Sequence, residues 1–223
     1  MKSRIGVSGA ILIIILIHSC KKDAHYPLQD IDGNVYNGTA TIGNQVWMIE
    51  NLKTTRYSNG DSIETTLSDI SGESTPKYQW AYNGDESYVS VYGRLYTWYA
   101  ASDSRNLCPD GWHVPTDDDW TALTTFLGGE DLAGGKLKET GITHWLAPNT
   151  DATDVWNFTA LPGGSRFSSG FFQYLGNRGF WWSSTEHSAP LGYFRTMSSL
   201  FGFVGRDGTN KQYGFSVRCI KNE

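Results

Sequence analysis

Two distant segments constrain this chain more than any other feature: residues 107–120, LCPDGWHVPTDDDW, and residues 214–221, GFSVRCIK, each carrying one cysteine. The first spells out three local structures in sequence. Asp110-Gly111 is a turn, and residues 112–115 are extended because the residue before Pro115 avoids the α region. Thr116 then suits a helix N-cap, and Asp117, Asp118 and Asp119 fall in the first turn, where exposed N–H groups and the positive end of the helix dipole favour acids. Capping accounts for these three acids without a metal. Trp120, Leu123 and Leu127 recur at helical spacing, and Gly128-Gly129 stops the run.

The third cysteine, Cys20, closes a targeting segment. Lys2 and Arg4 precede the apolar run ILIIILI (residues 11–17), which is too short to span a bilayer comfortably. Ile17-His18-Ser19-Cys20 resembles a bacterial lipobox, with His18 as its atypical member. The expected organisation is a signal peptide over residues 1–19, a lipidated Cys20 with a tether over 20–27, and one domain over 28–223. An ordinary secretory signal with an incidental cysteine is the alternative. Acyl chains on Cys20 would place the protein on the cell envelope, as an outer-membrane lipoprotein, with the membrane as its first partner. Surface and periplasmic faces both stay open. Export leaves Cys108 and Cys219 as an even pair in an oxidising compartment, where a disulfide is expected. It would close a loop that the chain-entropy model values at roughly 4–5 kcal/mol. Two reduced cysteines in redox or catalytic work are the alternative, but there is no C-x-x-C motif and no flanking base.

Composition narrows the class. Aromatics make up 14% and Gly 25 of 223 residues, which suits short strands and many turns rather than a helical bundle. A formal charge of −5 argues against nucleic acid as a partner. Residues 34–50 read as a hairpin turning at Gly43-Asn44, with Val46 and Met48 on one face and Trp47 and Ile49 on the other. Residues 59–76 read as loop. Residues 92–101 fit either a strand or a short helix. Strands are expected at 136–139, 180–184, 193–197, 201–206 and 214–220. Residues 143–157 read as polar loop around Trp145 and Trp156.

Seven ordered motifs then carry a resemblance: GNQVWMIENLKTTRY (43–57), YGRLYTWYAA (92–101), the 107–129 segment, AGGKLKETG (133–141), FTALPGGSR (158–166), FWWSSTE (180–186) and GFSVRCIK. Together they resemble the Fibrobacter succinogenes major paralogous domain (FISUMP) over about residues 28–222. The resemblance implies an exported or surface protein, often a lipoprotein, and no particular reaction. A more distant likeness joins Trp112-His113-Val114-Pro115-Thr116 with Asp119-Trp120, and the ordered trio GGSR (163–166), WWSS (181–184) and GFSVRC (214–219), to formylglycine-generating, sulfatase-modifying proteins. That likeness implies an α+β, C-type-lectin-like fold: about two helices, short twisted antiparallel strands, many loops and chain ends brought together. A disulfide from ahead of a helix to the last strand suits such a fold.

Activity does not transfer with the fold. Formylglycine-generating enzymes use reactive cysteines with copper, and here the only pair is the one expected in a bridge. His113, His144 and His187 are isolated, and there is no H-E-x-x-H, G-x-S-x-G or P-loop. The reading is therefore a non-catalytic binding module for carbohydrate or protein, with no catalytic residues. Trp145 and Trp156 are its expected stacking platforms. Asn149, Asp151, Asp154 and Asn157 are hard oxygen ligands that would suit calcium, the one cofactor considered. Ala147-Pro148-Asn149 lacks the acid of the Glu-Pro-Asn tripeptide of sugar-binding lectins. The alternatives are a structural or assembly component of the envelope, such as an adhesin or fibre subunit with an envelope-protein partner, and, less favoured, a divergent formylglycine-generating enzyme.

Overall fold

The computed structural model describes residues 28–223; Cys20 and its flanking segment lie outside them. The described chain opens with β1 (Leu28–Gln29) and β2 (Val35–Tyr36), which pair antiparallel. The Gly43-Asn44 turn folds β3 (Thr39–Ile42) onto β4 (Gln45–Met48). The predicted hairpin forms over residues 39–48, while residues 35–36, expected in its first strand, pair with β1 instead; its alternation serves two cores. Val46 and Met48 join one, Trp47 and Ile49 the other. The ambiguous segment 92–101 contains both candidates. After β5 (Gln79–Trp80) and α1 (Val89–Tyr92), Gly93 at φ 73° ends the helix. β6 (Leu95–Tyr96) follows, and Thr97 caps α2 (Trp98–Ala101) by accepting from the Ala100 N–H.

The 107–120 segment folds as read. β7 (Trp112–His113) leads into α3 (Asp117–Phe126). Thr116 Oγ1 accepts from the Asp119 N–H at 3.1 Å while Asp119 accepts from the Thr116 N–H at 2.8 Å, a reciprocal cap. Asp117 has another task. It accepts from Arg195 Nη1 and Arg206 Nη2, each at 2.7 Å, and so pins α3 to the sheet. Burial works against its charge, but the bonds from Arg206 and Arg195 outweigh burial and hold the carboxyl below its ordinary value. Asp118 is exposed.

The remaining elements are α4 (Glu130–Leu137), β8 (Gly163–Arg166), β9 (Phe172–Leu175), β10 (Arg178–Ser188), β11 (Leu191–Ser198), β12 (Gly205–Asn210), β13 (Phe215–Ser216) and β14 (Ile220–Lys221). Three expectations change here. Residues 136–137 end α4 rather than start a strand. Gly134 and Gly135 depress helix propensity, but they are buried where a Cβ would collide with the carbonyls of Gly202, Phe203 and Asp151, so packing selects them. The strand expected at 201–206 begins only at Gly205, because Lys138 draws the Phe201 carbonyl away from any ladder. The strand expected at 214–220 splits between two sheets.

That split organises the α+β fold. The large sheet runs β12-β11-β10-β13-β6-β5, with β8 beside β10 and β9 beside β8. The smaller sheet runs β3-β4-β14-β7. β13 and β14 are thus one closing segment that links both sheets. Cys219, just before β14, is bonded to Cys108 across 111 residues, inside the core that holds Met48, Leu52, Tyr96 and Trp182. The second core, with Trp47, Trp120, Trp145 and Trp181, lies between α3 and the sheets.

Two predictions follow from this frame. Cys108→Ser with Cys219→Ser opens a loop of 111 residues, and urea unfolding should show a loss of about 4–5 kcal/mol; a loss under about 1 kcal/mol contradicts the loop-closure account. His113 ties β7 to α3 through Asp119 at 3.3 Å and to Asn222 at 2.7 Å. The Asp119 bond, opposed by burial, raises its pKa above 6.5. A raised histidine contributes most below the unfolded pKa and loses that contribution as pH rises through the folded pKa. Wild type should therefore lose a little stability between pH 6 and pH 8 that His113→Gln does not lose, and parallel curves for the two proteins would refute the link.

Candidate functional site

The loop over 143–157 is built differently from its sequence reading. Trp145 is only 1% exposed and its Nε1–H donates to the Ala160 carbonyl at 2.9 Å. It plugs the second core and offers no stacking face, which corrects the expectation of a platform. Trp156 is half-buried and sits edge-on to Phe126, with ring centroids 5.3 Å apart. Asn149, Asp151, Asp154 and Asn157 share another property: all have left-handed backbone, with φ of 46°, 59°, 43° and 52°. Asn and Asp tolerate that region best among residues with a Cβ. Asn149 Nδ2 donates to the Glu139 and Gly141 carbonyls, and both Asp154 oxygens accept from Thr159. Among the described residues no group of three or more His, Cys, Asp or Glu is placed to hold a metal.

The cation that organises this region is Lys138. It is fully buried, and its Nζ donates to the carbonyls of Thr150 at 2.8 Å, Ser198 at 2.9 Å and Phe201 at 2.8 Å. Two loops are thereby gathered on one ammonium. Burial brings its pKa down to about 8, with Asp151 acting the other way, so the charged form still dominates at neutral pH.

A second region, which the sequence reading did not single out, has the composition of a binding surface. One face of the large sheet is covered by α3. The opposite face is covered at one end by α2, where Trp98 packs so close to Gly192 that no Cβ would fit. Its other end is partly open. Rings run along it in contact: Tyr174 to Phe180 at 5.8 Å, Phe180 to Phe194 at 6.1 Å, Phe194 to Phe215 at 5.2 Å and Phe215 to Tyr213 at 6.3 Å. Phe180 and Phe215 are buried, Phe194 and Tyr213 half-buried, and Tyr174 is 40% exposed. Tyr174 also has φ 71°, a costly backbone for a bulky residue and one that clusters at functional sites.

Arg178 lies at the open end. On a strand, alternate side chains share a face, so Arg178 is in phase with Phe180 and Trp182. Its guanidinium lies 5.4 Å from the Tyr174 ring centroid. Its Nε is buried without a hydrogen-bond partner. Thr196, opposite Phe180 in the β10–β11 register, has a buried hydroxyl that is likewise unpartnered. Phe203 adjoins this face beside Gly205, and it stacks on Phe201 at 5.2 Å with both rings largely exposed. Among the described residues every other arginine has a carboxylate or carbonyl partner. The signal for this site was present in RGFWW (residues 178–182), which puts a cation in phase with core aromatics.

The family model described as Fibrobacter succinogenes major domain (Fib_succ_major) matches residues 40–221. No curated protein and no solved structure matches the chain.

The Lys138 arrangement is directly testable. Lys138→Met should leave three carbonyls short of a donor and cost about 3 kcal/mol or more, with faster amide exchange at Thr150 and Ser199. Millimolar calcium should leave the wild-type melting temperature unchanged. Retained stability in the variant, or a calcium-dependent rise in wild type, would contradict this account.

Proposed function

Because the chain belongs to the Fibrobacter succinogenes major domain family, matched over residues 40–221, we propose that it is an exported, lipid-anchored protein of the bacterial cell envelope whose domain binds carbohydrate without transforming it. The N-terminal basic and apolar pattern ending at Cys20 supports the anchor. The Cys108–Cys219 bond supports the non-catalytic reading, since it occupies both cysteines of residues 28–223 that oxidative chemistry would need free.

The partly open aromatic face carries the binding reading. Sugar rings present an apolar C–H face and a rim of hydroxyls. Half-exposed rings beside unpaired polar groups match both features. Tyr174, Tyr213 and Phe194 supply area, and Arg178 supplies a guanidinium that has no carboxylate or carbonyl partner in the fold. Assembly with an envelope protein is the second reading. Leu200, Phe201 and Phe203, 50%, 47% and 42% exposed, favour it, because an exposed apolar cluster suits a protein partner.

A glycan array probed with the full chain in detergent tests the first reading. At least one class of saccharide should bind, and Tyr174→Ala should weaken it about tenfold, equivalent to about 1.4 kcal/mol. Leu132→Ala on α4, away from that face, should leave binding unchanged. A clean array together with a co-purifying envelope protein would favour assembly instead.

A further inference from the structure

We infer that the saccharide held at this face is acidic, a uronate whose carboxylate is taken by Arg178; the inference rests on the carbohydrate reading above. The first support is the state of the guanidinium. Arginine presents a planar fork of N–H donors that matches a carboxylate in a two-point contact. The other arginines among the described residues have used theirs within the fold, as Arg195 does on Asp117. Arg178 has no carboxylate or carbonyl partner at all, while its buried Nε–H is a feature it shares with Arg166 and Arg195. A carboxylate meeting the outer Nη edge of the fork would take up those donors and neutralise the charge at once.

The second support is what surrounds it. Tyr174 lies against the guanidinium and is itself 40% exposed, so a pyranose could rest on the ring while its carboxylate reaches the fork. No carboxylate of the fold competes through an ion pair with Arg178. The protein's own charge sharpens the point. At a formal −5, the molecule repels polyanions in general, so selective binding of an acidic ligand must come from a local contact rather than a broad field.

Calorimetry on the full chain in detergent with three probes tests this: oligogalacturonate, its methyl-esterified form and a sulfated galactan. The acid should bind at least tenfold tighter than the ester, and 0.5 M salt should narrow that gap. Arg178→Gln should remove the preference while leaving ester binding and the melting temperature near wild type, since only the contact with the Tyr174 ring is lost and no hydrogen bond or ion pair. Arg178→Lys should keep part of the preference, because charge survives but the fork does not. Equal binding of acid and ester, or a preference that persists in Arg178→Gln, overturns the acidic-ligand inference and leaves the carbohydrate reading standing. Sulfated galactan binding as well as the uronate overturns the carboxylate assignment. If none of the saccharides binds, both readings fall together.

Discussion

Long cationic side chains turned inward hold this domain together where regular ladders do not reach. Arg218 is the centre of the set. It is fully buried, with Nε and Nη2 on the Asn51 side-chain oxygen at 3.2 and 2.9 Å and further bonds to the carbonyls of Phe158 and Thr159. Lys138 gathers three carbonyls, and Arg166 bonds those of Phe167 at 3.1 Å and Ser68 at 2.6 Å. Each takes main-chain acceptors from loops that make few backbone pairs of their own. A buried carbonyl left without a donor costs about 1–3 kcal/mol. One multi-donor cation removes two or three such costs. The opposing term is desolvation, and burial lowers the pKa of all three groups. Arginine tolerates that well because its intrinsic pKa lies so far above neutrality.

These cations also explain how chain ends and loops become one body. Arg218 lies between β13 in the large sheet and β14 in the smaller one, beside the disulfide at Cys219. Asn51, which accepts from it, also accepts from the Trp181 indole at 2.9 Å. The N-terminal hairpin, the central strand β10 and the last residues therefore meet on one amide oxygen. On the α3 side of the large sheet, Arg195 and Arg206 hold the helix through Asp117. The helix is thus fixed to one face, and part of the other face is left for Tyr174 and Arg178.

What was legible in the sequence is local. The turn, extended run and capped helix of residues 107–127 are written in neighbouring residues, and the structure forms them as written. The hairpin turning at Gly43-Asn44 is legible for the same reason, since its alternation needs no distant information, although residues 35–36 leave it to pair with β1. Trp145 illustrates the limit. Its loop is largely polar and has no periodicity, yet it is buried by strands and helices far away in sequence. The Asn and Asp of the same loop were read by side-chain chemistry, whereas their backbone conformation explains their positions. Gly134 and Gly135 look like a helix terminator, yet they lie inside α4 because two loops must approach the helix closely. Arg178 was readable only by counting in twos from Phe180 and Trp182, a pattern that strong aromatic neighbours obscure.

The same logic gives the open face its meaning. A buried Nε–H without an acceptor recurs on Arg166, Arg178 and Arg195, but of these only Arg178 lacks every carboxylate or carbonyl partner. Such a donor costs about 1–3 kcal/mol by the same accounting that favours Lys138 and Arg218. Tyr174, stacked on that guanidinium, adds a left-handed backbone that costs about 1–3 kcal/mol more. The Thr196 hydroxyl is a third unmet term on the same face. Other buried groups without partners, such as Tyr57 Oη, Trp120 Nε1 and Asn149 Oδ1, lie elsewhere in the fold. What sets this face apart is a guanidinium without a carboxylate or carbonyl partner beside a 40% exposed tyrosine. A ligand with an acidic group and an apolar ring face would pair the one and cover the other.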